Sequence, residues 1–427
     1  MSVEPPLVIA NRKELTYLLC QAAELEHGIL CEYLYAAFSI RSRPGPGVDD
    51  VQLEAMERWR AVLFSIATEE MLHWALVNNL LTAVGSAPYV SRPNLPHAAK
   101  GYPPGVQLAL LPFGERALRH FVYLERPEGM DLDDAEGFDP AGPDLPPMSG
   151  QELLPRGQQF ATVSHLYRAI ENGLVHLADK YGEDRLFIGP PRAQATPSSF
   201  RWPDLVPITE LDGARRVVQR IVEQGEGARG DWSSAHYGRL LAVLEEYLAV
   251  RAADPGFEPA HPVTAAAVRG VEGVEPDVLI TDPGTAAVSD LCNVVYDLVL
   301  QVIARYFAFG EETEEELAVL ADASVRLMIG AIKPLGLLLA ALPVGADRPG
   351  ETAGANLQLA YRASFLLPHR RAAWIRFSGR LEEAADFSDA ISLSTDGRDV
   401  LDRVASVLRA VQKDLDAGVG LGPPKRR

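Results

Sequence analysis

Glu70 and His73 are the residues of this chain with the clearest capacity for chemistry. They stand three apart in Ser65-Ile66-Ala67-Thr68-Glu69-Glu70-Met71-Leu72-His73-Trp74-Ala75-Leu76, and helical positions three apart share a face. That face is the apolar one, since Trp59, Val62, Leu63, Ile66, Val77 and Leu80 fall on the same three-and-four rhythm. A carboxylate and an imidazole therefore occupy positions where Ile or Leu is expected. An interior carboxylate that is neither paired nor ligated costs many kcal/mol, and a bound cation is one way to offset that. Glu-x-x-His on inward-facing helices is the pair with which four-helix bundles hold carboxylate-bridged iron or manganese. The motif is short and common, and the plain alternative is a solvated or capped helix turn. Its weight depends on partners.

The element before it supplies one. A first helix is predicted from about Glu14 to Ser39, with Leu15, Leu18, Leu19, Ala22, Leu25, Ile29 and Tyr33 as its apolar stripe and Glu26 inside that stripe. Glu24 and Glu32 fall towards the flanks and read as solvated, while Tyr33 and Tyr35 read as core packing. Arg41-Ser42-Arg43-Pro44-Gly45-Pro46-Gly47 breaks the helix. The second helix, about Val51 to Val84, stops before Gly85. Helices joined by a short turn are antiparallel neighbours. Glu26 and Glu70 each lie about midway along their helix, so they meet at one height.

Ser86 to Pro112 is irregular, and its His97 reads as a surface residue. A short amphipathic helix follows over Glu115 to Glu125. The acidic, Pro- and Gly-laced stretch Pro127 to Pro155 cannot pack and lacks the glycine and terminal glutamate of an EF-hand, so it reads as a surface lid. A third helix is predicted over Pro155 to Tyr181. Its His165 and His176 are eleven positions apart and cannot share one ion, and a hydrogen-bonded core histidine is the ordinary fate of each. A fourth runs from Glu210 to Gly227, where Gly225 and Gly227 flank Glu226 at a cost of about 1 kcal/mol each. Close backbone approach to a site and a frayed helix end are both consistent with these glycines, and either Glu223 or Glu226 can face inward. The chain restarts at Asp231 as a helix through Leu248, with His236 in its first turns.

After a Pro-rich linker the remainder reads as helical, with amphipathic runs at Ser289 to Phe309, Glu314 to Leu342 and Val400 to Leu415. No internal repeat, phosphate loop, Cys-x-x-Cys pair or dinucleotide-binding strand pattern is visible. The fold class is all-α: a bundle over residues 11–250, a linker over 251–285, and a helical region over 286–417 packing on the bundle.

A chain of 427 residues with 47% hydrophobic and 23% charged residues can bury a large core. Its net charge of −18 argues against nucleic-acid or anionic-membrane partners, which need a basic surface. Three cysteines, Cys20, Cys31 and Cys292, make no disulfide framework; the first two lie about 16 Å apart on one helix. The first ten residues lack a signal-peptide pattern. The apolar stretch Leu327 to Leu342 is interrupted by Lys333 and Pro334 and is too short to span a bilayer. A soluble, cytoplasmic protein is the expectation, with a tail at Gly420 to Arg427 too sparsely basic for targeting.

The runs Ala22-Ala23-Glu24-Leu25-Glu26-His27, Glu69-Glu70-Met71-Leu72-His73, Phe121-Val122-Tyr123-Leu124-Glu125-Arg126-Pro127-Glu128 and Ile221-Val222-Glu223-Gln224-Gly225-Glu226-Gly227, followed by His236-Tyr237, occur in an order that resembles the ferritin-like family. Within it they resemble the branch containing the iminophenylpyruvate dimer synthase domain of violacein- and rebeccamycin-type pathways. The likeness covers about Leu15 to Leu248. It implies a ferritin-like four-helix bundle with an additional helical C-terminal region and iron at the bundle centre. The implied metal ligands are Glu26, Glu70, His73, Glu226 and His236. In Thr162-Val163-Ser164-His165-Leu166-Tyr167, His165 stands where relatives carry a third-helix glutamate, and it is added as a ligand. A neutral imidazole there removes a negative charge, which favours one iron or an unsymmetrical pair.

The expected activity is that of an iron-dependent, oxygen-using oxidase or oxidative-coupling enzyme of specialised metabolism, with Glu70 and His73 catalytic. Its expected partners are a small amino-acid-derived or aromatic substrate, oxygen or peroxide, a partner oxidase that makes a reactive imine, and a second copy of the chain. This chain is shorter than the larger synthases of that branch and is expected to lack their additional domain. A non-catalytic ferritin-like storage protein is the alternative, and haem is the alternative cofactor.

Overall fold

The computed structural model describes residues 7–42, 48–95, 108–128, 130, 155, 158, 160, 162–227, 231–268, 270, 278–308, 310–359, 369–418 and 420. His97, most of the acidic stretch, the breaker at 43–47 and the tail after 420 lie outside them. The helices are α1 (Arg12–Ser39), α2 (Asp50–Ala83), α3 (Glu115–Leu124), α4 (Val163–Tyr181), α5 (Glu183–Leu186), α6 (Pro197–Phe200) and α7 (Leu211–Gly225). They continue with α8 (His236–Ala253), α9 (Pro283–Tyr306), α10 (Glu314–Leu327), α11 (Lys333–Leu339), α12 (Arg370–Ala390) and α13 (Thr395–Gly418). Two strands, β1 (Val263–Thr264) and β2 (Thr352–Ala353), pair in parallel. The chain forms two compact units: Met1–Ala87, Leu95–Gln194 and Pro207–Ala260 in the first, and Pro88–Asn94, Ala195–Val206 and His261–Arg427 in the second.

The first unit is a bundle of four columns, two of which are cut. Columns one and two are α1 and α2, each started by side-chain capping. Asn11 accepts from the amides of Lys13 and Glu14, and Asp49 and Gln52 form a reciprocal capping box, devices of about 1 kcal/mol each. His27 meets Trp74 and Phe38 meets Phe64, so the two run antiparallel. The third column is α3 followed by α4: Ser39 meets Phe113, Glu32 meets His120 and Glu26 meets Tyr167, antiparallel to α1. The fourth is α7 followed by α8, antiparallel to α2 through His73 with Gln224 and Trp59 with Glu246. The resulting order is up, down, down, up, which requires one long crossover between α2 and α3. Both breaks, after Glu125 and after Glu226, fall at the height of Glu70.

Several local expectations shift. The helix predicted from Pro155 starts at Val163, because the Thr162 hydroxyl accepts the His165 amide and fixes the N-terminus there. Glu32 is fully buried rather than solvated, with Oε1 held by the Ala109 amide and 3.3 Å from His120 Nε2. The run Glu314 to Leu342 divides into α10, a π-helical turn at Met328–Ile332, and α11. Pro334 cannot donate to the helix and crowds the preceding turn, which a wider turn relieves. α12 escaped sequence reading because exposed Ile375 and Phe387 blur its stripe of Trp374, Phe377 and Leu381. By length and composition α9 is apolar enough to cross a membrane, but most of it is buried. Cys20, Cys31 and Cys292 are not joined in disulfides.

The second unit repeats the four-column pattern with α9, α10, α12 and α13. α9 neighbours α10 and α12, and α13 neighbours α10 and α12. Gly284, at the start of α9, lies near Leu393 beyond the end of α12, while Arg326 meets Asp414 and Ser378 meets Asp416. These pairs give the same order of directions as the first unit. Among the described residues, the buried ion pair of these helices lies at one end. Arg305 donates from Nε and Nη2 to both oxygens of Glu312 at 2.6 and 2.7 Å, and Trp374 Nε1 donates to Glu312 at 3.1 Å. Removing one partner of such a pair strands the other charge. Glu312→Ala is therefore expected to lower stability by about 3–5 kcal/mol in chemical denaturation; a loss below about 1 kcal/mol would mean that Arg305 reaches water instead.

Candidate metal centre

The first bundle buries a cluster of carboxylates and imidazoles at its middle. Glu26 from α1, Glu70 and His73 from α2, Glu125 just past α3 and His236 at the first turn of α8 are all buried. Two donor groups form, Glu26 with Glu70 and His73, and Glu70 with Glu125 and His236; within each, one ligand atom per residue lies within 4.8 Å of the others. Glu70 belongs to both. Its Oε2 is 2.9 Å from His73 Nδ1 and its Oε1 is 2.7 Å from His236 Nδ1. Glu26 Oε2 is 3.7 Å from His73 Nδ1, and Glu125 Oε1 is 3.6 Å from His236 Nδ1.

Each ring is turned by a partner on its far side. Gln224 Oε1 accepts from His73 Nε2 at 3.1 Å, and Glu69 Oε2 accepts from His236 Nε2 at 2.9 Å. Glu69 is itself held by Arg239, whose Nη1 lies 2.8 and 2.9 Å from its two oxygens. With both Nε2 atoms committed, the Nδ1 atoms face into the cluster, the arrangement that outer partners impose on metal-binding histidines. His236 Nδ1 has no hydrogen bond despite its closeness to Glu70. A buried nitrogen beside a carboxylate but out of alignment with it fits two atoms aimed at a common third partner. The donors, carboxylate oxygen and imidazole nitrogen, suit iron, manganese or zinc.

The electrostatics agree. Burial and the neighbouring Glu70 push Glu26 up to about 8. Burial would also raise Glu70, but the charges of His73 and His236 outweigh it and hold Glu70 well below the usual carboxylate range. Burial disfavours a charged His73, yet Glu70 and Glu26 raise it to about 10. The cluster retains protons where it otherwise needs a cation. Tyr33 and Tyr167 donate their phenols to Glu125 and Glu26, and burial beside carboxylates raises both tyrosines, keeping them neutral donors.

Glu26, Glu70, His73 and His236 are thus brought together, whereas Glu226 and His165 join neither group. Glu226 lines the same small cavity, about 20 Å³, room for an ion or a water. Its oxygens, however, accept from Arg168 Nη2 at 3.0 Å and the Glu128 amide at 2.9 Å. His165 is two residues from Tyr167, the α4 side chain that reaches Glu26, and residues two apart on a helix face different ways. Glu125, Tyr33 and Tyr167 were missed. The signal for Glu125 was present, since it extends the stripe of Leu118 and Phe121. The two glycines divide in role: a Cβ at Gly225 would sit 3.4 Å from Glu125 Oε2, so the backbone approaches the cluster there. Gly227 has φ +89° and a Cβ on it would strike the Asp231 carbonyl at 2.7 Å.

Metal binding should displace the protons that Glu26, His73 and His236 hold at pH 7: the first two are raised above that pH, and although burial disfavours a charged His236, Glu70 and its neighbours Glu125 and Glu69 raise it well above its ordinary value. Titrating the metal-free chain with Fe(II) or Mn(II) in weakly buffered dye solution is expected to release up to about three protons per chain, and Glu70→Ala to reduce this. Release equal to that of a chain carrying both Glu70→Ala and His236→Ala would place the ion elsewhere.

The ferritin-like family profile matches residues 19–245. Dichlorochromopyrrolate synthase of Lentzea aerocolonigenes is 28% identical over 88% of this chain and 39% of its own length. 2-Imino-3-(indol-3-yl)propanoate dimerase of Chromobacterium violaceum is 30% identical over 82% of this chain and 34% of its own length. The chain spans well under half of either relative, and both alignments reach beyond the family match. A solved ferritin-like protein from Caulobacter vibrioides superposes with a TM-score of 0.45 and 18% identity, covering 74% of this chain and 96% of its own. With an all-helical bundle, buried carboxylates and imidazoles at its centre, and a match over more than half of its length, the chain belongs to the ferritin-like family.

Proposed function

We propose that this chain is an iron-dependent oxidative-coupling enzyme of specialised metabolism, acting on a small aromatic acid derived from an amino acid. The observation that carries this is the pair of buried donor groups hinged on Glu70, with both imidazole Nδ1 atoms facing inward. Support for the substrate class comes from the relatives, one named for an imino-indolyl-propanoate and one for a dichlorochromopyrrolate. In this scheme Glu26, Glu70, His73, Glu125 and His236 would hold the iron, with Glu70 within reach of both imidazoles. Bound iron would supply one-electron redox chemistry towards oxygen or peroxide.

The protein's own groups do the rest. Gln224 and Glu69 fix the tautomers of His73 and His236. Tyr167 and Tyr33 hold phenolic protons on Glu26 and Glu125, which tempers those carboxylates without charging the site. Ile29, Leu124, Val163, Ile221 and Val222 wall the cavity and exclude bulk water from the reacting centre. Glu70 and His73, at the centre of this environment, are the catalytic pair. An oxidase acting on the parent amino acid would supply the imine.

Iron content and oxygen uptake test this together. The purified chain is expected to hold one or two irons and to consume oxygen only with an aromatic imino acid present. Glu70→Ala and His73→Ala should each lower both readouts at least tenfold, and His165→Ala should leave iron content unchanged. Glu69→Gln should weaken metal binding about 10–100-fold. Many irons per chain would instead mean storage, and a Soret band would mean haem.

A further inference from the structure

We propose that the two imidazoles of the cluster are unequal ligands: His236, backed by Glu69, anchors the metal, and His73, backed by Gln224, is the weaker and more exchangeable of the two. This rests on the metal-holding role proposed above. The sides that face the cluster do not set the difference, because they are nearly alike. His73 Nδ1 lies 2.9 Å from Glu70 and 3.7 Å from Glu26, and His236 Nδ1 lies 2.7 Å from Glu70 and 3.6 Å from Glu125. Both rings are buried, and each flanking carboxylate accepts one tyrosine phenol.

The difference lies behind the rings. His73 Nε2 donates to the amide oxygen of Gln224, a neutral, half-buried side chain in the last turn of α7. His236 Nε2 donates to a carboxylate oxygen of Glu69. A carboxylate draws on the ring proton more strongly than an amide does, which leaves more electron density on the opposite nitrogen and makes it the more basic ligand. Glu69 is also fixed in place, by Arg239 Nη1 at 2.8 and 2.9 Å from its two oxygens and by the Ser65 hydroxyl, which donates to Oε1 at 3.0 Å. Arg239 offsets the charge of Glu69 but leaves its Oε2 against the ring. A second observation points the same way. His73 Nδ1 is hydrogen-bonded to Glu70 Oε2, a contact that an entering ion must break. His236 Nδ1 is fully buried and makes no hydrogen bond, so an ion on that side satisfies a stranded nitrogen and displaces nothing from it. Glu69 is thus a positioning residue that ranks the two ligands.

The test is the Mn(II) affinity of the metal-free full chain, read from the electron paramagnetic resonance signal of the free ion. His236→Ala is expected to weaken binding at least tenfold more than His73→Ala does; if His236→Ala loses its helical circular dichroism, His236→Gln, closer in volume, takes its place. Gln224→Ala should cost less than about tenfold, below the range of about 10–100-fold for Glu69→Gln. A chain carrying both Glu69→Gln and Gln224→Glu moves the carboxylate from one ring to the other. In that background the order should reverse, so that His73→Ala becomes the costlier change, an outcome that a purely structural role for Glu69 does not produce. Equal losses from the two histidine changes, or the same order in both backgrounds, would overturn the ranking and leave the metal-holding role standing. No Mn(II) binding by the unmodified chain, with none of Fe(II) in a parallel titration, would overturn both.

Discussion

The shared carboxylate of Glu70 is the constraint on which the first unit depends. It is buried, it stays ionised, and it faces imidazole nitrogens on two sides. A charge of this kind is tolerated in an interior only if positive charge is supplied next to it. Six polar groups around it serve the requirement: His73 and His236 directly, Gln224 and Glu69 by orienting them, and the two tyrosines by stabilising the flanking carboxylates. The apolar walls raise the stakes, because low local polarity strengthens each attraction and each penalty alike.

The second unit offers a comparison inside the same chain. Its four helices follow the same order of directions, yet where α1 carries Glu26 the interior of α9 presents Leu291, Cys292, Val295, Leu298 and Val299. Its buried ion pair among the described residues, Arg305 with Glu312, lies at the end of the helices and is internally balanced. Among the described residues, this bundle topology therefore holds together without a buried cluster of carboxylates and imidazoles at its middle. The acid and imidazole side chains of the first unit are not what this architecture requires; they are an addition that has to be justified by chemistry.

What was legible in the sequence follows from how local each signal is. Glu26, Glu70 and His73 stood out because each violates the stripe of a long, regular helix, and their common depth followed from helix lengths and a short turn. Glu125 violates a stripe too, but α3 has only ten residues, too few turns for the violation to register. Tyr33 conforms to its stripe and so read as packing, and Tyr167, also apolar in pattern, drew no reading of its own. The positions of Glu226 and His165 depended on the register between columns, which no single segment encodes. Tyr167, not His165, faces Glu26 because Thr162 fixes where α4 begins. The second bundle was hidden because a repeated topology leaves no repeated sequence when one copy carries ligands and the other does not.

The two cut columns have an evolutionary corollary. The helical columns are interrupted beside the cavity, once between the end of α3 and the start of α4 and once between the end of α7 and the start of α8. Insertions at these points lengthen a closed excursion without altering helix register, and doubling such an excursion costs only about 0.6 kcal/mol in closure entropy. Sequence added at either break therefore leaves the mutual register of Glu26, Glu70, His73, Glu125 and His236 unchanged, so the surroundings of the cluster can vary between lineages while its geometry persists.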